Sequence, residues 1–147
     1  MLVHLGVATL WLGGMTYSLF VVQPRLGRAL ADPVRVEDVY RELAAGNRWR
    51  VVGLIAVLAL TGVGLVLVYD GRSAVWWLAV AAKLGLLVAA SALFWWVSWC
   101  GWPRRVFALP AEIPAEQARF RRVALVMAGT VGAAFVLGVV AAHSPWR

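Results

Sequence analysis

The side chains best suited to chemistry in this sequence are few. They are the imidazoles of His4 and His143, the amine of Lys83, the thioethers of Met15 and Met127, the hydroxyl of Thr61 and the indole of Trp11. His4 and His143 are the only histidines and Lys83 the only lysine; every other cationic side chain is an arginine. A neutral imidazole is the commonest protein ligand for transition metals and also ligates haem iron. Arginine does not readily shed its proton, whereas a desolvated lysine can, so the choice of an amine points to a base, a proton carrier or a hydrogen-bond donor. The plainer alternative is a lysine stem that snorkels and delivers its ammonium to the interface. Thioethers are soft ligands that suit Cu(I), and in an apolar bundle they also serve as ordinary packing.

The elements that must position these groups follow from composition. Of 147 residues, 63% are hydrophobic and the mean hydropathy is +0.80, well above the roughly 45–50% apolar content of soluble domains. Apolar runs at Leu2–Val22, Val51–Tyr69, Trp76–Trp99 and Val123–Ala142 are each long enough to cross a hydrocarbon core of about 30 Å as a helix. The expected fold is an all-α integral membrane four-helix bundle, a single domain over residues 1–147.

The formal net charge of +7 is a matter of topology. Arg25, Arg28, Arg35, Arg41, Arg48 and Arg50 fall between the first two spans, and Arg104, Arg105, Arg119, Arg121 and Arg122 between the last two. The second loop has only Arg72 and the C-terminal tail only Arg147. The positive-inside rule therefore puts loops one and three in the cytoplasm and both termini on the outer side of a multi-pass protein of the cell's inner membrane. Arg25 and Arg28 follow the first apolar run instead of preceding it, which argues for an uncleaved span. The same clustering leaves no reason to invoke nucleic acid. Trp49, Trp95, Trp96, Trp99 and Trp102 mark the inner interface, Trp76, Trp77 and Trp146 the outer one, and Trp11 fits neither belt.

Within loop one, Asp32 can cap a helix, Pro33 suits its first turn, and Val36, Val39, Tyr40 and Leu43 recur at helical spacing. A short amphipathic cytoplasmic helix is expected there, with its arginines toward the anionic lipid of the bilayer. Loop three, with Pro103, Pro110 and Pro114, reads as a turn-rich connector. Cys100 stands alone, so no disulfide or cysteine cluster is available. No hydrolase triad, phosphate loop or dinucleotide fingerprint is present, and the spans lack deep carboxylates, which leaves hydrolysis and phosphoryl transfer without machinery.

On the first helix, spacings of seven and eleven align His4, Trp11 and Met15 on one stripe, with Ser18 continuing it. Gly13 and Gly14 would let a neighbouring helix approach closely. The topology puts His4 and His143 at the same outer end, Met127 at a depth like that of Met15, and Thr61 level with Lys83. Two imidazoles at one level can share an ion, and thioethers deeper in can receive it.

His4, then Trp11-Leu12-Gly13-Gly14, then Pro24 resembles the opening helix of the copper resistance protein D (CopD) membrane domain. Arg48-Trp49-Arg50 leading to Thr61-Gly62, and Lys83-Leu84-Gly85-Leu86-Leu87-Val88, are similar to that domain's next two helices. The likeness runs in order over most of the chain through loose hydrophobic motifs. It implies copper handling or transport at an inner membrane, more a carrier's role than an enzyme's. It also implies a periplasmic copper-binding partner, and, for a chain shorter than its eight-span relatives, homo-oligomerisation. The residues it carries over are His4, Trp11, Gly14, Thr61 and Lys83. A more distant resemblance is to the HemJ-type protoporphyrinogen oxidase, a four-helix membrane protein thought to bind haem b. That family shares the His-Trp spacing and a lysine in helix three. It places its Pro-Arg-Leu nearer the tyrosine than Pro24-Arg25-Leu26 stands here, and has an acidic motif where this chain has Arg119-Phe120-Arg121-Arg122. It implies a membrane oxidoreductase or electron carrier with haem b on His4, and Lys83 near a propionate or acting in proton transfer. A third reading is a structural accessory subunit of a larger membrane complex.

Overall fold

A computed structural model describes residues 1–68 and 73–143, the side chain of His143 excepted. All regular structure among them is helical. Four helices are long and apolar enough to cross a membrane: Leu2–Leu30, Asn47–Val68, Ala74–Val106 and Ile113–Ala142. We number the elements α1 (Leu2–Tyr17), α2 (Gln23–Leu30), α3 (Pro33–Ala44), α4 (Asn47–Val68), α5 (Ala74–Trp95), α6 (Trp102–Val106) and α7 (Ile113–His143). Short π-helical segments, Ser18–Val22 and Trp96–Gly101, join α1 to α2 and α5 to α6 without interrupting either rod. The α1 rod packs on α4 and α7, and α5 packs most extensively on α7. The core is thin, as lipid-facing rods allow: Trp11, Leu58, Ala90, Met127 and Val131 are its buried centre.

The helices outrun the apolar segments at the arginine-rich end, so the expected boundaries there are corrected outward. The first rod continues to Leu30, the third to Val106, and the fourth begins at Ile113. The expected turn-rich connector between the last two spans shrinks to residues 107–112. Proline explains both the expectation and the miss. Pro114 occupies a first helical turn, where a missing N–H breaks no hydrogen bond, whereas Pro103 lies within the third rod just past its π segment. At the other end the second span stops at Val68; Tyr69, the expected last residue, lies with Arg72, Trp146 and Arg147 outside the described residues.

Both π segments precede a proline, and the geometry shows why. Gln23 N–H bonds Ser18 C=O and Trp102 N–H bonds Val97 C=O, each five residues back. Proline cannot continue such a ladder, since it has no N–H and its ring crowds the preceding turn; widening that turn makes room. The next carbonyl in the second ladder, Ser98, would be orphaned by Pro103. Arg48 Nη2 donates to it at 2.5 Å, with the guanidinium 4.7 Å above the Trp99 ring. An arginine whose position suggested topology alone thus completes the backbone of another span.

Helix α3 falls where the sequence placed it. Asp32 Oδ1 accepts from Val34 N–H at 2.9 Å, and Pro33 occupies the first turn. Its inner side is docked on protein: Val36 and Glu37 are buried. Glu37 receives both Nε and Nη2 of Arg105, at 2.7 and 2.8 Å, and Nε2 of Gln117 at 3.2 Å. This ties α3 to α6 and α7. Arg105 is further enclosed by the rings of Tyr40 and Phe120, 5.1 and 4.8 Å from its guanidinium carbon.

Candidate functional site

His4, in the first turn of α1, points across to α4, where its Nδ1 lies 2.8 Å from Thr61 Oγ1. Thr61 in turn donates to Val57 C=O at 2.6 Å. A threonine hydroxyl has one hydrogen, and this one is committed to the carbonyl. With the hydroxyl turned to Val57, Thr61 accepts from His4 in the tautomer that carries its proton on Nδ1, which leaves a lone pair on Nε2. That is the arrangement of a ligating histidine, whose second nitrogen is held by an outer hydrogen bond that fixes tautomer and ring orientation. Gly62 leaves room for it: a Cβ at that position would stand 3.5 Å from His4 Cε1.

Lys83 does not run out into lipid. Its amine rests on α7 at Gly138, where a Cβ would come within 3.0 Å of Nζ and 3.4 Å of Cε. Two contacts thus pair the four spans: the imidazole with the hydroxyl, and the amine with the glycine.

Trp11, Met15 and Met127 gather lower down. Trp11 and Met127 are buried in one cluster and Met15 packs against it. Trp11 matches neither belt because it is core. The eleven residues from His4 to Met15 span about 16 Å at 1.5 Å per residue, so thioethers and imidazole cannot share one ion and could serve only as successive stations. Among the described residues, no group of three or more His, Cys, Asp or Glu side chains is close enough to hold a metal. His143 ends α7, and its side chain lies outside the described residues.

Among the described residues of this chain, no helix approaches Gly13 or Gly14 closely. Both are exposed, and a Cβ on either would meet nothing within 4 Å; the close approaches occur instead at Gly62, Gly101 and Gly138. The stripe containing His4 and Trp11 faces neighbouring helices, and the two glycines fall off it.

Two features escape a reading of the sequence. Gly138 is one of several glycines in an apolar run, and nothing local marks it as the seat of a lysine. Glu37 carried a weak signal: a carboxylate beside Val36 and three residues before Tyr40 flanks the apolar stripe of its helix, where a charge needs a partner.

Comparison with protein-family models, curated proteins and solved structures finds no match. Fold and contacts together define a class: a protein with four helices long and apolar enough to cross a membrane, in which His4 of the first meets Thr61 of the second and Lys83 of the third meets Gly138 of the fourth.

Proposed function

We propose that this protein handles copper at a cell inner membrane, with His4 Nε2 as the first ligand at the non-cytosolic end of the bundle. The observation that carries the reading is the contact between His4 Nδ1 and the Thr61 hydroxyl, which orients the ring and suits the Nδ1–H tautomer a metal ligand needs. His143, at the end of the helix that returns to the same side, is the proposed second ligand. Met15 and Met127 are proposed to take Cu(I) deeper in the bundle, as soft sulfur favours. Lys83 adjusts the charge balance of the site. A periplasmic copper-binding protein would deliver or accept the ion, and a second copy of the chain would lengthen the path.

The presence of Lys83 supports a second reading. A cation near a metal site would disfavour a free metal cation but suit an anionic group on a larger ligand. His4 would then bind the iron of haem b, with Lys83 paired to a propionate. Absorbance and elemental analysis of the detergent-purified protein separate the two. Copper above the level of a His4→Ala, His143→Ala control supports the first; a Soret band lost in His4→Ala supports the second. Neither signal in the intact protein would overturn both and leave the accessory-subunit reading.

A further inference from the structure

At the arginine-rich end, well away from His4, α2, α3 and α7 enclose an open cavity of about 610 Å³, within the roughly 300–1,000 Å³ of small-molecule sites. Its polar lining includes Gln23, Tyr40, Asn47, Arg105 and Arg121, and its apolar lining includes Val22, Leu43 and Phe120. Arg105 is 93% buried, being 7% exposed. Its Nε and Nη2 are committed to Glu37, and among the described residues Nη1 has no hydrogen-bond partner. The guanidinium is therefore clamped by a carboxylate along one edge, which leaves Nη1 outside the pair in a residue that lines the cavity. Such a clamp is rigid, and a charged donor in a partly dry site binds an oxyanion strongly.

Beyond the Arg105–Glu37 pair, the charges of the lining balance. Arg121 adds a second cation. Asp32, the carboxylate in the lining, is half exposed and engaged as the cap of α3. Burial raises the Tyr40 phenol above its ordinary range, with Arg105 opposing more weakly, so the hydroxyl stays protonated and able to donate. A bare phosphate ion would leave most of the volume empty, while Val22, Leu43 and Phe120 supply surface for an apolar continuation.

We infer that this cavity binds a phosphate ester, held by Arg105 Nη1 and the Arg121 guanidinium, of the kind carried by an anionic lipid headgroup or a small soluble ester. The inference is independent of the copper reading and uses none of its residues. It is tested on the full chain in detergent by native mass spectrometry. The probes are phosphatidylglycerol, diacylglycerol with the same acyl chains, and glycerol 3-phosphate. Phosphatidylglycerol is expected to bind and diacylglycerol not to. Arg121→Gln should weaken binding about tenfold, whereas Arg119→Gln, an equal loss of charge outside the cavity, should not. Gly27→Leu keeps the argument testable without touching the ion pair: Gly27 lines the cavity, and a Cβ there meets nothing within 4 Å, so the larger side chain should fill the space and abolish binding in a protein that still elutes as folded. Glycerol 3-phosphate binding as tightly as the lipid would identify a soluble ester as the source and support the site's chemistry. Equal binding of diacylglycerol and phosphatidylglycerol, equal loss from Arg119→Gln and Arg121→Gln, or unchanged binding in Gly27→Leu would each overturn the proposal.

Discussion

Thr61 and Gly138 set what His4 and Lys83 can do, so substitutions at these two positions separate orientation from mere presence. Thr61→Val keeps the shape and removes the acceptor for His4 Nδ1–H. Loss of an outer hydrogen bond of this kind typically costs 10–100-fold in metal affinity, while the structural cost of a hydrogen bond between membrane helices is only about 0.6 kcal/mol. Competitive Cu(I) titration should therefore show Thr61→Val nearly as impaired as His4→Ala, with near-normal thermal stability, and Thr61→Ser should restore binding. Equal affinities in wild type and Thr61→Val would remove the tautomer argument. A second contrast concerns two glycines. A Cβ at Gly138 meets the flexible end of Lys83, whereas one at Gly101 meets the Phe120 and Trp96 rings at 3.0 and 3.2 Å. Gly138→Ala should leave unfolding almost unchanged while shifting the copper or haem spectrum of the loaded protein. Gly101→Ala should cost about 1–3 kcal/mol, the usual penalty for overpacking, and leave that spectrum alone.

At the scale of elements, the prolines of the first and third spans show how a membrane helix tolerates a break in its ladder: in both the turn widens into a π segment, and in the third a side chain from another span serves the carbonyl left over. Arg48→Ala removes that donor and should cost roughly 1–3 kcal/mol, the desolvation penalty of an unpartnered buried group. In a Pro103→Ala background an N–H is available to the ladder again, and the same substitution should cost distinctly less. Unfolding of the four proteins in a denaturing detergent series measures the difference; strict additivity would show that Arg48 and Pro103 act separately. This pairing also marks the limit of what the sequence reveals. Rods, their order and the capped helix after Asp32 were legible because hydrophobic run length and capping are local signals. His4, Thr61 and Lys83 could be singled out because a polar group in an apolar run is costly to insert. The partners could not. Ser98 and Arg48 are fifty residues apart, Glu37 and Arg105 sixty-eight, and no local pattern distinguishes an arginine that marks topology from one that completes a distant backbone or ion pair. The helix ends were misplaced for a related reason: proline signals a boundary in one context and a tolerated first turn in another.

At the scale of the whole molecule, the two ends of the bundle have opposite characters. One end gathers Glu37–Arg105, Arg48 over Trp99 and Arg119 over Trp96; the other holds His4 and the start of α5. Capture of copper from outside requires the histidine end to face away from the cytosol, and the arginine distribution favours that orientation. The two ends can be tagged in a Cys100→Ser background, because Cys100 is the single native thiol. Leu2→Cys places a thiol on an exposed residue at the histidine end, and Ala111→Cys places one in the exposed turn between α6 and α7. A membrane-impermeant maleimide applied to spheroplasts should label Leu2→Cys at once and Ala111→Cys only after the membrane is opened. The reverse pattern would turn His4 toward the cytosol. Entry of an external ion at His4 would then fail, whatever the affinity of the purified protein, while the geometry of the His4–Thr61 contact would be untouched. Orientation and ligation are thus separable, and a protein that binds copper through His4 but labels in the reverse order would have to take the ion from the cytosolic side.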